Sequence, residues 1–237
     1  MNLPVEISPN PLVISTVELR ININVSPNEI IPHFISLFAQ EFPKFETTNI
    51  LPEMRNHNPG LKYAADYTMS NDSFRISFSK NSVAFENVGE YKFWANYFGF
   101  ITKCVEKLYS LKIILQTERI GVRYASVLGS TLGLEQIFKT IPTMSLGLEE
   151  KMEIYRTVIS TGDIKMALHI APNAKATAAA TNIIKEGVYI DIDAFIESPQ
   201  NDYKDILSRI EELHIEEKRL FFGLLKDDFI KTLNPKY

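Results

Sequence analysis

Apolar and polar residues alternate strictly near the start of the chain. Every second residue from Val17 to Val25 is apolar, and the residues between them are polar. A period of two predicts a strand with one face buried and the other in water. Ser26 then has the character of a helix N-cap, followed by Pro27 and Glu29 in the first turn. The next apolar residues recur at helical spacing, so this helix is expected to pack one side on a sheet.

The same order of elements is predicted twice along the chain. Turn-forming residues indicate a loop over 46–61, after the first strand and helix. The elements predicted after it are strands over 63–69, 74–78 and 83–85, a helix over 90–109, a strand over 113–127, a short helix over 130–141, strands over 152–159, 165–170 and 188–195, and a long amphipathic helix over 201–226. Each half therefore has the order strand, helix, three strands, helix.

The fold class predicted from this order is α+β. Short connections favour antiparallel neighbours, because a parallel pair needs a long crossover. We expect a curved, mainly antiparallel sheet built from two strand–helix–three-strand–helix halves, with helices covering one face. Residues 1–237 would form a single domain of two similar halves, about 12–110 and 111–230.

Residue similarity between the two halves is thin. Its best anchor is Leu19-Arg20-Ile21 set against Val122-Arg123-Tyr124, which places an arginine on the polar face of each opening strand. Internal repetition changes the interpretation of a fold, so it needs to be sought directly. Gene duplication is favoured here, and a chance resemblance between two α+β patterns is the alternative.

Composition and charge are those of an ordinary soluble globular protein. Apolar residues make up 45% of the chain, and 25 Lys+Arg against 29 Asp+Glu give a net charge of −4. Every apolar run is interrupted well before the length that spans a membrane. The first residues lack the basic start and apolar block of a signal peptide, and the single cysteine, Cys104, cannot form an internal disulfide. A cytoplasmic protein is predicted, with no membrane association.

Asp191 and Asp193 are the first candidate chemical site. Their strand spacing puts both carboxylates on one face, where they could hold Mg²⁺ or share a proton. The favoured alternative has Tyr189, Asp191 and Asp193 facing water while the intervening residues face the core. His214 lies on a helix rich in glutamate and could contribute to a zinc site, but a solvated helix face with charged pairs is favoured. No metal site is therefore predicted.

Arginines and tyrosines along the predicted strands are the second candidate site. A curved sheet could present them to nucleic acid, which needs a concentrated basic surface. The competing hypothesis pairs the arginines with carboxylates on neighbouring strands, and the acidic net charge also argues against nucleic acid. The residues considered are Arg20, Arg75, Arg119, Arg123, Tyr63, Tyr67 and Tyr124, and the possible partners are Glu18, Glu118, Asp191 and Asp193.

Other catalytic patterns are not present in the sequence. Cys104 lies between apolar residues of a predicted helix, which is typical of a buried and inert thiol. The segment Gly129–Gly133 lacks the Lys-Ser/Thr of a phosphate-binding loop, and there is no Gly-x-Ser-x-Gly elbow. No cofactor is predicted, and an enzyme is disfavoured although not excluded.

Several short motifs resemble one family. They are Pro11-Leu12, Glu18-Leu-Arg20, the central Glu118-Arg119-Ile-Gly121-Val-Arg123-Tyr124, Asp191-Ile-Asp193, the segment from His214 to Phe222, and Leu233-Asn-Pro235. Together they are similar to a sporadically distributed prokaryotic family of this length with no established function. The resemblance implies no activity, cofactor or catalytic residue. Its patchy distribution implies an association with mobile or defence-related systems.

The function that these patterns favour is a non-catalytic soluble binding module. It would present its polar sheet face, or the cleft between the halves, to a protein or a small ligand. The candidate binding residues are Arg20, Arg119, Arg123, Tyr124, Asp191, Asp193 and His214. Two alternatives stay open: a metal-dependent nuclease or phosphoryl-transfer enzyme using Asp191 and Asp193, and a nucleic-acid sensor using the sheet arginines.

Overall fold

A computed structural model describes residues 3–48, 50, 52–91, 93–129, 132–140, 153–178 and 183–237. The strands are β1 (Leu12–Ile23), β2 (Lys44–Thr47), β3 (Tyr67–Ser70), β4 (Phe74–Phe78), β5 (Ser82–Asn87), β6 (Ile114–Leu128), β7 (Tyr155–Thr161), β8 (Ile164–Thr177) and β9 (Ile184–Ile196). The helices are α1 (Pro27–Phe38), α2 (Pro52–His57), α3 (Phe93–Ser110), α4 (Leu134–Ile137), α5 (Tyr203–Leu224) and α6 (Asp227–Thr232), with a 3₁₀ turn at Pro59–Leu61.

The strands form one nine-stranded sheet in the order β2-β3-β4-β5-β1-β6-β9-β8-β7. The pairings of β5 with β1 and β4, of β3 with β2 and β4, and of β7 with β8 are antiparallel. The predicted α+β class and antiparallel sheet are therefore confirmed.

Two elements were not expected from the sequence pattern. β2 and α2 lie within or beside the segment predicted as a loop over 46–61. All four residues of β2 are exposed, so this edge strand lacks the alternation that marks a half-buried strand. The backbone pairing of β2 with β3 forms it instead, with Phe45 opposite Met69.

The short helix predicted over 130–141 is only partly observed. Residues 130–131 and 141 lie outside the described residues, and α4 covers Leu134–Ile137. It ends because Phe138 is extended and forms an isolated bridge with Leu225. Met152, the predicted start of β7, also lies outside the described residues.

The chain divides into two compact units. Unit 1 consists of Met1–Ser15, Arg123–Ala194 and Glu212–Tyr237, and unit 2 of Thr16–Val122 and Phe195–Glu211. Each unit takes residues from both predicted halves. The interpretation of 1–237 as a single domain of two similar halves stays a prediction.

In unit 2, helices α1 and α3 pack on the apolar side of the strands. Phe34 of α1 meets Phe78 of β4 edge to face, with ring centroids 5.5 Å apart. The Tyr97 hydroxyl of α3 donates to the Phe85 carbonyl at 2.6 Å. Because Phe85 is in register with Val17, these helices cover the sheet face that carries the apolar residues of β1.

In unit 1, β7 and β8 form a hairpin whose turn contains Gly162 and Asp163. Thr161 pairs with Ile164, and Gly162 adopts a φ of +59°, which glycine tolerates well. Every second residue of β8 from Ile164 to Ile170 is buried. The residues between them, including Ala167 and His169, point to the opposite side of these strands.

Candidate functional site

Arg123 and Asp191 form a two-point ion pair across β6 and β9, which are neighbours in the sheet. Arg123 Nε donates to Asp191 Oδ1 at 2.9 Å, and Arg123 Nη2 donates to Oδ2 at 2.7 Å. The Tyr189 hydroxyl also donates to Oδ2, at 3.2 Å. Both oxygens of the Asp191 carboxylate are therefore engaged within unit 1.

The environment of this pair is asymmetric. The Arg123 side chain is 46% exposed, whereas that of Asp191 is only 12% exposed. The hydrogen bonds that Arg123 donates to Asp191 raise the pKa of Arg123 well above its ordinary value, which keeps the guanidinium charged. Burial raises the pKa of the Tyr189 hydroxyl, and the nearby Asp191 carboxylate raises it further. Tyr189 thus stays protonated and can donate its hydrogen bond to Asp191.

A cavity of about 470 Å³ opens beside the pair. Its lining includes Arg123, Asp191 and Asp193 together with Arg156 of β7 and His169 of β8. Arg156 and His169 stand directly opposite each other in the antiparallel register. Cross-strand partners of this kind have Cβ atoms roughly 5 Å apart, close enough to contact one ligand group together.

One ring nitrogen of His169, a residue that lines the cavity, has no hydrogen-bond partner. Its Nε2 is buried and has no hydrogen-bond partner, and its ring lies edge-on to that of Tyr189 at 5.8 Å. Arg156 is exposed and forms no salt bridge with any residue that the structure describes. The cavity therefore brings an exposed cation close to a histidine whose Nε2 has no hydrogen-bond partner.

The two aspartates do not form an open metal-binding pair. Asp193 lines the cavity two residues beyond Asp191, but Asp191 already accepts bonds from Arg123 and Tyr189. Among the described residues, no group of three or more His, Cys, Asp or Glu side chains is placed to hold a metal ion. A divalent ion at Asp191 would have to displace Arg123.

Arg20 and Arg119 belong to a separate cluster in unit 2. Both donate to Oε1 of Glu18, at 2.8 Å from Arg20 and 3.0 Å from Arg119. Arg20 lies over the Tyr63 ring at 4.0 Å, and Arg119 lies over the Phe195 ring at 4.4 Å. These contacts fit cation–π geometry. The cationic charge is partly neutralised here by a shared carboxylate.

Tyr124 and His214 lie in the buried interior of unit 1. Adjacent strand residues point to opposite faces, so Tyr124 points away from Arg123. Its ring is 5.6 Å from that of His214, and both residues are about 6% exposed. Burial lowers the pKa of His214 to about 3 and raises that of Glu217, on the same helix, to about 8. Both are favoured in their neutral forms near pH 7.

The structure thus separates the seven candidate residues into three groups. Arg123, Asp191 and Asp193 line one cavity, Arg20 and Arg119 share Glu18, and Tyr124 packs with His214.

Arg156 and His169 were not identified from the sequence. A signal for them exists: Thr161-Gly162-Asp163-Ile164 has the form of a two-residue hairpin turn, which fixes the register of β7 against β8. Counting outwards from that turn places Arg156 opposite His169. The sequence could therefore have paired these two residues, although not with Arg123.

No protein-family model matches the chain, and no curated protein is significantly similar to it. None of the helices in the described part of the chain combines the length and hydrophobicity that a membrane crossing needs.

Proposed function

We propose that this protein is a non-catalytic binding module, and that the cavity beside Arg123 receives the anionic group of a small ligand or a protein partner. The group would be a carboxylate or a phosphate, held between Arg156 and His169. The observation that carries the proposal is that His169 lines the cavity while its buried Nε2 lacks a hydrogen-bond partner.

A ligand oxygen would remove an energetic penalty at His169. A buried polar nitrogen without a partner costs about 1–3 kcal/mol, which a hydrogen bond to the ligand would offset. With its proton on Nε2, the imidazole ring donates to that oxygen. Arg156 stands opposite in the register and offers a planar guanidinium that matches a carboxylate or phosphate.

The Arg123–Asp191 pair supports the placement of the anionic group between Arg156 and His169. Arg123 neutralises Asp191 on the β9 side of the cavity, while Arg156 on β7 has no salt bridge among the described residues. The basic side of the cavity is therefore at β7. An anionic group would approach there, away from Asp191 and Asp193.

The two alternative functions have less support. A metal-dependent nuclease would need Asp191 to exchange Arg123 for a metal ion, at the expense of two charge-assisted hydrogen bonds. A nucleic-acid sensor would use the sheet arginines Arg20, Arg119 and Arg123, but each of them donates to a carboxylate. We infer a binding role instead of either activity.

We further propose that the two halves arose by duplication. Support comes from the strand order, which runs β1-β5-β4-β3 in one direction and β6-β9-β8-β7 in the other. Each series begins with the opening strand of one half and then visits its last, middle and first meander strands. Membership of the sporadic prokaryotic family, with a mobile or defence-related role, is part of the same proposal.

The test is a binding titration followed by NMR. Protein with labelled histidine and arginine side chains is titrated with glutarate and with inorganic phosphate at constant ionic strength. We expect saturable shifts of the His169 ring and Arg156 Nε signals for at least one probe. Glutarate and phosphate distinguish the two kinds of anion. We expect Arg156→Gln and His169→Gln each to weaken that binding about tenfold, the loss of one charge-assisted hydrogen bond.

Arg219→Gln is the matched control. Arg219 is another exposed arginine of unit 1, paired with Glu216 on α5 and absent from the cavity lining. It should leave the titration unchanged. The proposal is wrong if neither probe shifts His169, or if Arg156→Gln binds as wild type. A saturable gain in thermal stability with Mg²⁺, lost in Asp191→Asn, would favour the metal-dependent alternative.

A further inference from the structure

A second cavity, of about 440 Å³, lies in unit 2 between the end of α1 and the middle of α3. It is independent of the binding site proposed above, which uses only residues of unit 1. Phe42, Phe74 and Phe100 form an aromatic wall. The rings of Phe74 and Phe100 are stacked, with centroids 4.1 Å apart and planes 8° apart, and Phe42 lies 5.8 Å from Phe100.

Gly99 is an exposed residue of α3 and lines this cavity. A Cβ added at Gly99 would meet nothing within 4 Å outside its own helix. Glycine inside a helix is less favourable than alanine by roughly 1 kcal/mol, so neither packing nor helix formation explains it here. Phe74 and Phe100 of the aromatic wall are only partly buried. Aromatic surface is thus available beside the space that Gly99 leaves.

The charges at the cavity rim are mostly positive. Lys103 follows Gly99 by about one turn of α3, is exposed, and forms no salt bridge with the described residues. Lys107, one turn further, pairs with Glu41. The rim thus has two lysines and one carboxylate, which leaves one cation to attract an anion.

Cys104 also lines the cavity, but it does not provide a reactive group. Its thiol is buried, and burial raises its pKa to about 12. A thiolate is the nucleophilic form of cysteine, so Cys104 is not expected to form a covalent bond to a molecule in the cavity.

We propose that this cavity binds a small aromatic carboxylate. Its ring lies against Phe74 and Phe100 in the space beside Gly99, and its carboxylate contacts Lys103. The volume is within the usual range for small-molecule sites. The wall combines aromatic rings with lysine, asparagine and glutamate side chains, so it offers both ring contact and polar contact. Stacking on the rings supplies contact area, while Lys103, the lysine without a salt bridge to the described residues, selects the acid over a neutral compound.

The experiment compares 1-naphthoate with neutral 1-naphthalenemethanol by calorimetry on the full chain. We expect the wild type to bind naphthoate about threefold to fivefold more tightly, the range for one partly exposed charge pair. Lys103→Gln should remove this preference and leave the affinity for the alcohol unchanged. Gly99→Leu, which fills the space, should weaken both compounds at least tenfold.

Gly223→Leu is the matched control, because Gly223 is also helical and also has nothing within 4 Å of an added Cβ. It should bind both compounds as wild type. Arg156→Gln weakens the carboxylate site proposed in unit 1, so a preference for naphthoate that persists in this variant is assigned to the cavity in unit 2. Thermal melting followed by circular dichroism shows whether each variant is folded. Phe74→Ala gives a second measure of the contact between the ligand ring and the wall. Absence of naphthoate binding in the wild type, equal affinity for both compounds, or unchanged binding in Gly99→Leu would each overturn the proposal.

Discussion

Arg119 and Arg123 lie four residues apart on β6, yet their surroundings differ. Arg119 is 7% exposed, donates to Glu18 and lies over Phe195. Arg123 has a 46% exposed side chain, and its partner Asp191 is the more buried of the two. One arginine is thus covered by its neighbours, while the other covers a buried carboxylate beside an open cavity.

This difference shows that an ion pair does not define a role by itself. Breaking a buried pair is strongly destabilising, whereas exposed pairs contribute little because water and salt screen them. Arg119 is expected to act mainly in stability. Arg123 is expected to act mainly in shaping the cavity, where Asp191, His169 and Arg156 are also found. Three substitutions test this contrast, from the largest expected effect to the smallest.

Arg119→Ala is expected to destabilise the protein most, by about 2–3 kcal/mol. It removes the bond to Glu18 and the packing over Phe195, and it leaves a space in a buried region. Glu18 keeps Arg20 as a partner, which limits the loss. Urea denaturation measures the change. A cost below about 0.5 kcal/mol would contradict the structural role, since that is the range of ordinary surface changes.

Gly121→Ala is expected to cost about 1–2 kcal/mol. A Cβ at this position would lie 2.5 Å from Nη1 of Arg119, so the guanidinium would have to move from Glu18. The same change in an Arg119→Ala background should cost much less, because the obstructing atoms are gone. A double-mutant cycle measures this coupling. Additive effects would show that Gly121 is needed for some other reason.

Arg123→Ala is expected to have the smallest effect, about 1 kcal/mol. Asp191 retains the hydrogen bond from Tyr189 and gains access to water through the cavity. Urea denaturation under the same conditions as for Arg119→Ala gives the direct comparison. A loss equal to or greater than that of Arg119→Ala would mean that Asp191 is left as an uncompensated buried charge, and the contrast between the two arginines would fail.

The candidate cavity could be predicted only in part from the sequence. The strand spacing of Asp191 and Asp193 correctly places both on one side of β9, and the hairpin turn at Gly162 fixes Arg156 opposite His169. The position of Arg123 beside Asp191 depends on the pairing of β6 with β9, strands separated by more than fifty residues. No local pattern encodes which distant strands become neighbours.

The helix face of α5 illustrates the same limit. The sequence predicts a solvated surface for His214, because glutamates surround it, whereas the structure buries both His214 and Glu217. A helix rich in glutamate can still place one of them against the sheet when its apolar stripe packs there. The buried polar residues then become neutral, as the shifts in their pKa values indicate.

The sequence alone determined the strand character of β1, the helical character of α3 and α5, and the α+β class. The reason is that hydrophobic periodicity depends only on residues close along the chain. It also determined that Cys104 is a buried thiol. Only the tertiary structure decided that Arg119 is covered by Phe195, that Arg123 binds Asp191, and that Gly99 and Phe100 line a cavity. These outcomes depend on which distant residues pack together, and that selection minimises the free energy of the whole chain and not of any one segment.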